Sequence, residues 1–163
     1  MSTKLTELTT PLAAALIQRK QTVAVAESST GGLISASLLA VPGASAYYVG
    51  GSVIYTARSR KQVLGVTPED VADLEPLTEA MALAFARVAR RQLNSTWAIS
   101  ELGIAGPTPA RYGHAPGTSA IGISGPVERA TIIETGSNDR EENMWAFTRA
   151  AIALLNEVVA ETD

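Results

Sequence analysis

The chain has 163 residues, 46% of them hydrophobic, and 13 lysines and arginines against 16 aspartates and glutamates give a net charge of −3. That length and apolar content suit one domain with its own core, while the acidic balance argues against a nucleic-acid partner, which selects a basic face. Cysteine is absent and histidine occurs once, at His114, so thiolate catalysis, Cys/His zinc sites and iron–sulfur clusters are excluded for a single chain.

Leu5, Leu8, Leu12 and Leu16 recur at helical spacing, with Arg19 and Lys20 where cations favour a helix C-terminus. Thr22 to Ala26 reads as a buried strand and Leu33 to Leu39 as a helix, which makes Glu27 to Gly32 the junction between them. Ser28, Ser29 and Thr30 are each able to cap that helix, the ordinary role of such residues. Gly31 and Gly32 let another molecule approach the backbone and leave the first N–H groups of the helix free, an arrangement that attracts anions. The Gly-x-Ser-x-Gly elbow, the phosphate loop and the dinucleotide turn are all absent.

Tyr47 to Thr56 reads as a strand that bends at Gly50-Gly51. A basic helix over Arg58 to Leu64 is capped by Gly65, and Thr67-Pro68-Glu69-Asp70 has the composition of a second helix start. From Thr78-Glu79 a third begins, with Met81, Ala84, Phe85 and Val88 as its core stripe and Arg87, Arg90 and Arg91 on a solvated face. Trp97 to Gly106 is a largely buried strand, followed by a Pro- and Gly-rich loop over Pro107 to Gly117. Within that loop His114 is expected to be solvated. Thr118 to Ser124 and Ala130 to Thr135 form an antiparallel hairpin, and the last helix runs from Asp139 to Val159. Its apolar residues make two adjacent stripes, a face broad enough to suggest burial against a partner copy. The fold class expected from this order is α/β, a three-layer α/β/α sandwich with a mixed sheet and a late antiparallel hairpin. Glu27 is expected to support the serine turn by hydrogen bonding. Glu101, a carboxylate inside an apolar strand, is expected to meet an arginine or to face a cleft or subunit contact.

Ala-Glu-Ser-Ser-Thr-Gly-Gly at 26–32, Val-Pro-Gly-Ala-Ser-Ala-Tyr at 41–47, Gly-Gly-Ser-Val-Ile-Tyr at 50–55, Leu-Gly-Val at 64–66 and Gly-Ile-Ala-Gly-Pro at 103–107 follow one another in unbroken order. In these motifs the chain resembles the CinA C-terminal domain family. The resemblance implies a nicotinamide-nucleotide amidase, which hydrolyses the carboxamide of nicotinamide mononucleotide to nicotinic acid mononucleotide and ammonia without a metal or other cofactor. It implies Ser28 as nucleophile, Tyr55 beside it and a lysine one helical turn later. Chemically, an amide needs an activated nucleophile and a proton carrier, and backbone N–H groups at Thr30 to Gly32 are the expected oxyanion or phosphate donors. Ser29, Thr30, Gly31, Gly32, Gly106 and Arg140 complete the expected substrate contacts, with a homo-oligomer as the expected assembly.

Several positions depart from the family pattern. Ungapped alignment puts Arg60 at the catalytic lysine, and arginine stays protonated, so it stabilises charge but cannot serve as base. Lys61 is adjacent, but about 100° of helical rotation points its amine elsewhere. Leu102 stands for a serine, Thr108-Pro109-Ala110 for an acid and glycines, and Met144 and Trp145 for arginines. Two functions are therefore carried forward: an amidase using Ser28 with Tyr55, Arg60 or Lys61, and a catalytically silent relative that binds a nucleotide or assembles. No apolar run approaches the ~20 residues that span a bilayer, and the N-terminus lacks a charged-then-apolar signal pattern, so a cytoplasmic location is expected, with no membrane partner.

Overall fold

Short runs of β-branched and small residues pair edge to edge, and the amphipathic segments between them close over both faces. The computed structural model describes residues 4–111 and 113–162; Tyr112, in the predicted loop, lies outside the described residues. In chain order the elements are α1 (Leu5–Arg19), β1 (Val23–Glu27), α2 (Leu33–Leu39), β2 (Tyr48–Val53) and a short turn of helix, α3 (Ala57–Ser59), that runs into a π-helical segment (Arg60–Leu64). They continue with α4 (Glu79–Leu93), β3 (Trp97–Ile104), β4 (Thr118–Ser124), β5 (Arg129–Glu134) and α5 (Arg140–Glu161).

The strand order among the described residues is β2-β1-β3-β4-β5. β1 runs parallel to β2 and β3, while β4 is antiparallel to both β3 and β5. Strand alternation sorts the side chains. Val23, Val25, Trp97 and Ile99 pack with Leu12, Leu38 and Leu155 of α1, α2 and α5, whereas Ala24, Ala26, Ala98 and Leu102 pack with Leu64, Phe85 and Val88 of the π-segment and α4. The molecule is thus the expected three-layer α/β/α sandwich with a mixed sheet and a late hairpin. Thr78 caps α4 by accepting from the Met81 amide, and Asp139 caps α5 by accepting from the Glu142 amide. On the exposed face of α4, Arg87 and Arg91 are paired with Glu128 and Asp70.

Three expectations are corrected. The strand predicted to reach Thr56 ends at Val53, because Thr56 leaves the ladder to form a capping box with Ser59. The segment at Thr67-Pro68-Glu69-Asp70 makes turns and no helix: the Asp70 carboxylate accepts from the Thr67 amide, and the left-handed backbones of Asp73 (φ 62°) and Leu77 (φ 54°) prevent helical continuation. The broad apolar face of α5 needs no partner copy. Ile152, Leu155, Val158 and Val159 fill the space between the sheet and α1, in one core with Leu12 and Leu16.

Helix α4 lies close on the sheet at Gly122 of β4, where an added Cβ would lie 2.6 Å from the Ala82 carbonyl carbon. The Ser100 hydroxyl donates to the same carbonyl at 2.5 Å, pinning the helix there. Gly122→Ala is expected to destabilise the fold by about 1–3 kcal/mol, lowering the melting temperature by ~2–4 °C per kcal/mol. An unchanged melting curve by calorimetry would show that α4 is free to shift.

Candidate functional site

The turn between β1 and α2 is folded around two carboxylates. Glu27, the last residue of β1, accepts at Oε1 from the Thr30 hydroxyl (2.6 Å) and the Gly32 and Ile34 amides (2.9 and 3.1 Å), and at Oε2 from the Ser35 amide (3.0 Å). Glu101, its register partner on β3, accepts at Oε2 from the amides of Ser28 (3.0 Å) and Thr30 (3.1 Å) and the Thr30 hydroxyl (3.0 Å). At Oε1 it accepts from the Ser29 hydroxyl (2.5 Å). Both glutamates are fully buried. Glu27 supports the turn as expected; Glu101, for which an arginine, a cleft or a subunit contact was expected, meets hydroxyls and amides of the turn. Burial pushes the Glu101 carboxyl above its ordinary value of 4.5, opposed by the Ser29, Ser28 and Thr30 hydrogen bonds.

This bonding overturns the expectation of free N–H groups at the helix start. The Thr30 amide goes to Glu101, the Gly31 amide to the Ser28 carbonyl (3.2 Å) and the Gly32 amide to Glu27. In this turn, only the Ser29 amide has no acceptor among the described residues. Gly31 (φ 64°) and Gly32 (φ 107°) supply the left-handed backbone that wraps the turn around Glu27. Gly103 on β3 lets it close: a Cβ there would sit 2.5 Å from Ser29 Oγ and 2.6 Å from Glu101 Oε1.

Two cavities flank the turn and meet at Gly103. The polar one, about 430 Å³, is lined by Ser29, Tyr55, Gly106, Thr108 and Arg140. Arg140, at the start of α5, donates to the Tyr55 hydroxyl (3.2 Å) and to the Gly106 carbonyl. The apolar one, about 390 Å³, has Arg60 and Lys61 on its wall with Phe85 and Leu102. Both cations, adjacent on the π-helical segment, line this cavity. Arg60 Nε donates to the Ile54 carbonyl (3.3 Å), and the Ile54 amide donates to the Glu27 carbonyl (2.8 Å). Ile54, the residue after β2, thus links Arg60 to the serine turn.

The structure therefore brings Ser29, Tyr55, Gly106 and Arg140 to one cavity and Arg60 and Lys61 to the other. Ser28, 3% exposed, lines neither. His114 also lines neither, and its carbonyl accepts from the Ala110 amide. Sequence reasoning missed Asn143, fully buried on α5, whose Nδ2 donates to the Ala105 and Ser137 carbonyls (both 2.9 Å) and anchors the end of β3. An asparagine among apolar helix positions was the available signal. Among the described residues no group of His, Cys, Asp or Glu is placed to hold a metal ion, and no helix is long and apolar enough to cross a membrane.

A carboxyl raised in the folded state binds its proton more tightly there than when unfolded. Stability then falls as pH rises from the unfolded value near 4.5 through the folded one. Glu101→Gln keeps an acceptor for the Ser28 and Thr30 amides and offers Ser29 a donor, so it is expected to fold and to lose this downward slope. Melting temperatures of parent and variant across pH 4–8 that ran parallel would contradict a raised Glu101.

A family model described as the CinA C-terminal domain matches residues 5–159. A CinA-like protein of Salinibacter ruber is 38% identical over 138 residues, 85% of this chain and 34% of the relative. One of Prochlorococcus marinus is 35% identical over 141 residues, 86% of this chain and 33% of the relative. The chain spans about a third of the length of these curated relatives. Among solved structures, a CinA superfamily protein from Klebsiella pneumoniae superposes with a TM-score of 0.89 at 28% identity, covering 98% of this chain and 100% of that one. A competence/damage inducible protein from Agrobacterium tumefaciens gives 0.87 at 26% identity, covering 99% and 100%. From the first helix to the last, in sequence and in fold, the chain belongs to the CinA C-terminal domain family.

Proposed function

We propose that this chain is a nicotinamide-nucleotide amidase-like hydrolase, cleaving the carboxamide of nicotinamide mononucleotide to nicotinic acid mononucleotide and ammonia. The observation that carries the reading is the serine turn: two buried carboxylates hold it, and it leaves the Ser29 amide without an acceptor among the described residues, next to a polar cavity. In this reading the nucleotide lies with Arg140 toward its phosphate, and its carboxamide reaches Gly103, where that cavity meets the one lined by Arg60 and Lys61. Ser28 Oγ adds to the carboxamide carbon, the C–N bond breaks and ammonia leaves; water then hydrolyses the acyl-serine. The Ser29 amide and Arg60 stabilise the oxyanion. The serine proton passes to Lys61 or Tyr55, since Arg60 holds its own. Self-association and a cytoplasmic location are part of the same proposal.

A second reading, a silent nucleotide-binding relative, is favoured by two specific features: the permanent cation Arg60 at the lysine position and the burial of Ser28. Ammonia release from nicotinamide mononucleotide separates the two. The amidase predicts release by the parent and a loss of several orders of magnitude in Ser28→Ala, on the scale seen for serine nucleophiles. It also predicts a gain of up to ~10²-fold in Arg60→Lys, which restores a titratable group. No release from folded parent or Arg60→Lys, with binding of the nucleotide by calorimetry, establishes the silent reading.

A further inference from the structure

Glu101, buried at the centre of the serine turn, has no part in the hydrolysis described above. Glu27 and Glu101 are register partners on β1 and β3, both fully buried, and the Thr30 hydroxyl spans them at 2.6 and 3.0 Å. Among the described residues no lysine or arginine donates to either carboxyl. The elements packed around Glu101 bring no cation to it. α2 has no ionisable side chain, β4 presents the Ser119 hydroxyl, and α5 meets Gly103 with the Phe147 ring. Every charged side chain of α5 is exposed; Arg140 is turned to the Tyr55 hydroxyl and the Gly106 carbonyl, and Arg60 lies over Phe85 of α4. The donors to each carboxyl lower the cost of burial but leave the repulsion between like charges, which favours a pair that shares one proton.

The hydrogen bonds single out one oxygen for that proton. Both oxygens of Glu27 face backbone amides, donors that cannot turn round. Oε2 of Glu101 accepts from the Ser28 and Thr30 amides, which fill the lone pairs of a carbonyl oxygen. Only Oε1 of Glu101 faces groups able to accept as well as donate: the Ser29 hydroxyl at 2.5 Å and the Ser119 hydroxyl at 3.3 Å. Ser119 has the Leu102 carbonyl, also at 3.3 Å, to take its own proton. Burial acts in the same direction, raising the Glu101 carboxyl. We propose that Glu101 is a neutral acid donating from Oε1 to Ser29 Oγ, and that the Ser29 hydroxyl, released from it, donates to the carbonyl oxygen of a ligand in the polar cavity. Ser29 is placed for this: it lines that cavity, its Oγ lies beside Gly103, and its amide has no acceptor among the described residues. Glu101 is then a positioning residue, and its ionisation would draw the Ser29 proton back and remove the donor. The donor role rests on the reading that a carboxamide reaches Gly103; the neutral state of Glu101 does not.

Infrared difference spectra of the full chain at neutral pH, parent against Glu101→Gln, test the protonation directly. The parent is expected to show a carboxylic-acid carbonyl band that shifts in deuterated water and is missing from the variant. Calorimetric titration with nicotinamide mononucleotide, from neutral to alkaline pH, reads the consequence. Parent affinity is expected to fall as the acid band is lost. Glu101→Gln, whose side-chain N–H donates to Ser29 at every pH, is expected to match the neutral parent and stay flat. Ser29→Ala is expected to weaken binding by about 3- to 10-fold, the usual worth of one neutral hydrogen bond, and to remove the pH dependence. Should Glu101→Gln fail to fold, Ser29→Ala, which takes away the acceptor at Oε1, shifts the same band and assigns it. Absence of the acid band overturns the proposal, as does equal affinity in parent and Ser29→Ala, or a Glu101→Gln profile that follows the parent's. A parent that shows the band but does not bind the nucleotide overturns the donor role together with the carboxamide reading, and the band itself tells that failure from an ionised Glu101.

Discussion

Two carboxylates lie side by side on neighbouring parallel strands, both sealed from water, and the turn at the mouth of the sheet exists to satisfy them. Burying one unpaired charge is costly, and placing two in register more so. Here the offset comes from a dense set of donors: three amides for Glu27, two for Glu101, the Ser29 hydroxyl, and the Thr30 hydroxyl facing both. Thr30 has one hydroxyl proton for two acceptors. That constraint explains the left-handed glycines, the close approach at Gly103 and the lack of free amides at the start of α2.

The same constraint divides the surroundings. With Glu27 and Glu101 directed to the α5 side of the sheet, the opposite face is left to Leu102, Phe85 and the cations of the π-segment, and the region past Gly103 to Tyr55 and Arg140. Leu102 makes the first space apolar, and the arginine at position 60 makes it permanently cationic. The polar space keeps its arginine at the α5 N-terminus, where Asp139 caps the helix. The two environments differ in polarity although a single glycine separates them.

Much of this architecture was legible in the chain. The β-branched runs, the caps at Thr78 and Asp139 and the tight link between the last two strands lead directly to the mixed sandwich, since each depends on neighbours close in sequence. Glu27 was legible for the same reason. What Glu101 meets was not, because its donors on the turn lie 71 to 73 positions away and only the β1–β3 register brings them together. The Thr67 segment carries helix-start residues, yet the local carboxylate–amide bond of Asp70 wins over propensity. The breadth of the α5 stripe was read correctly but given the wrong neighbour, α1 being hidden from any pattern along α5 itself. The shared cavity of Arg60 and Lys61 was not legible either, because its other walls come from α4, β3 and the loop before α4.

The register between Glu27 and Glu101 also bears on the order of events when the chain folds. β1, the turn and α2 are contiguous, but the carboxylate that holds Ser28, Ser29 and Thr30 arrives only after α4 has crossed over and β3 has docked beside β1. Such a long-range pairing carries a loop-closure cost and forms slowly compared with local helices. Until that docking only the local bond from the Thr30 hydroxyl to Glu27 is there to orient the three hydroxyls. The geometry of the serine turn is therefore a late product of folding, completed together with the sheet.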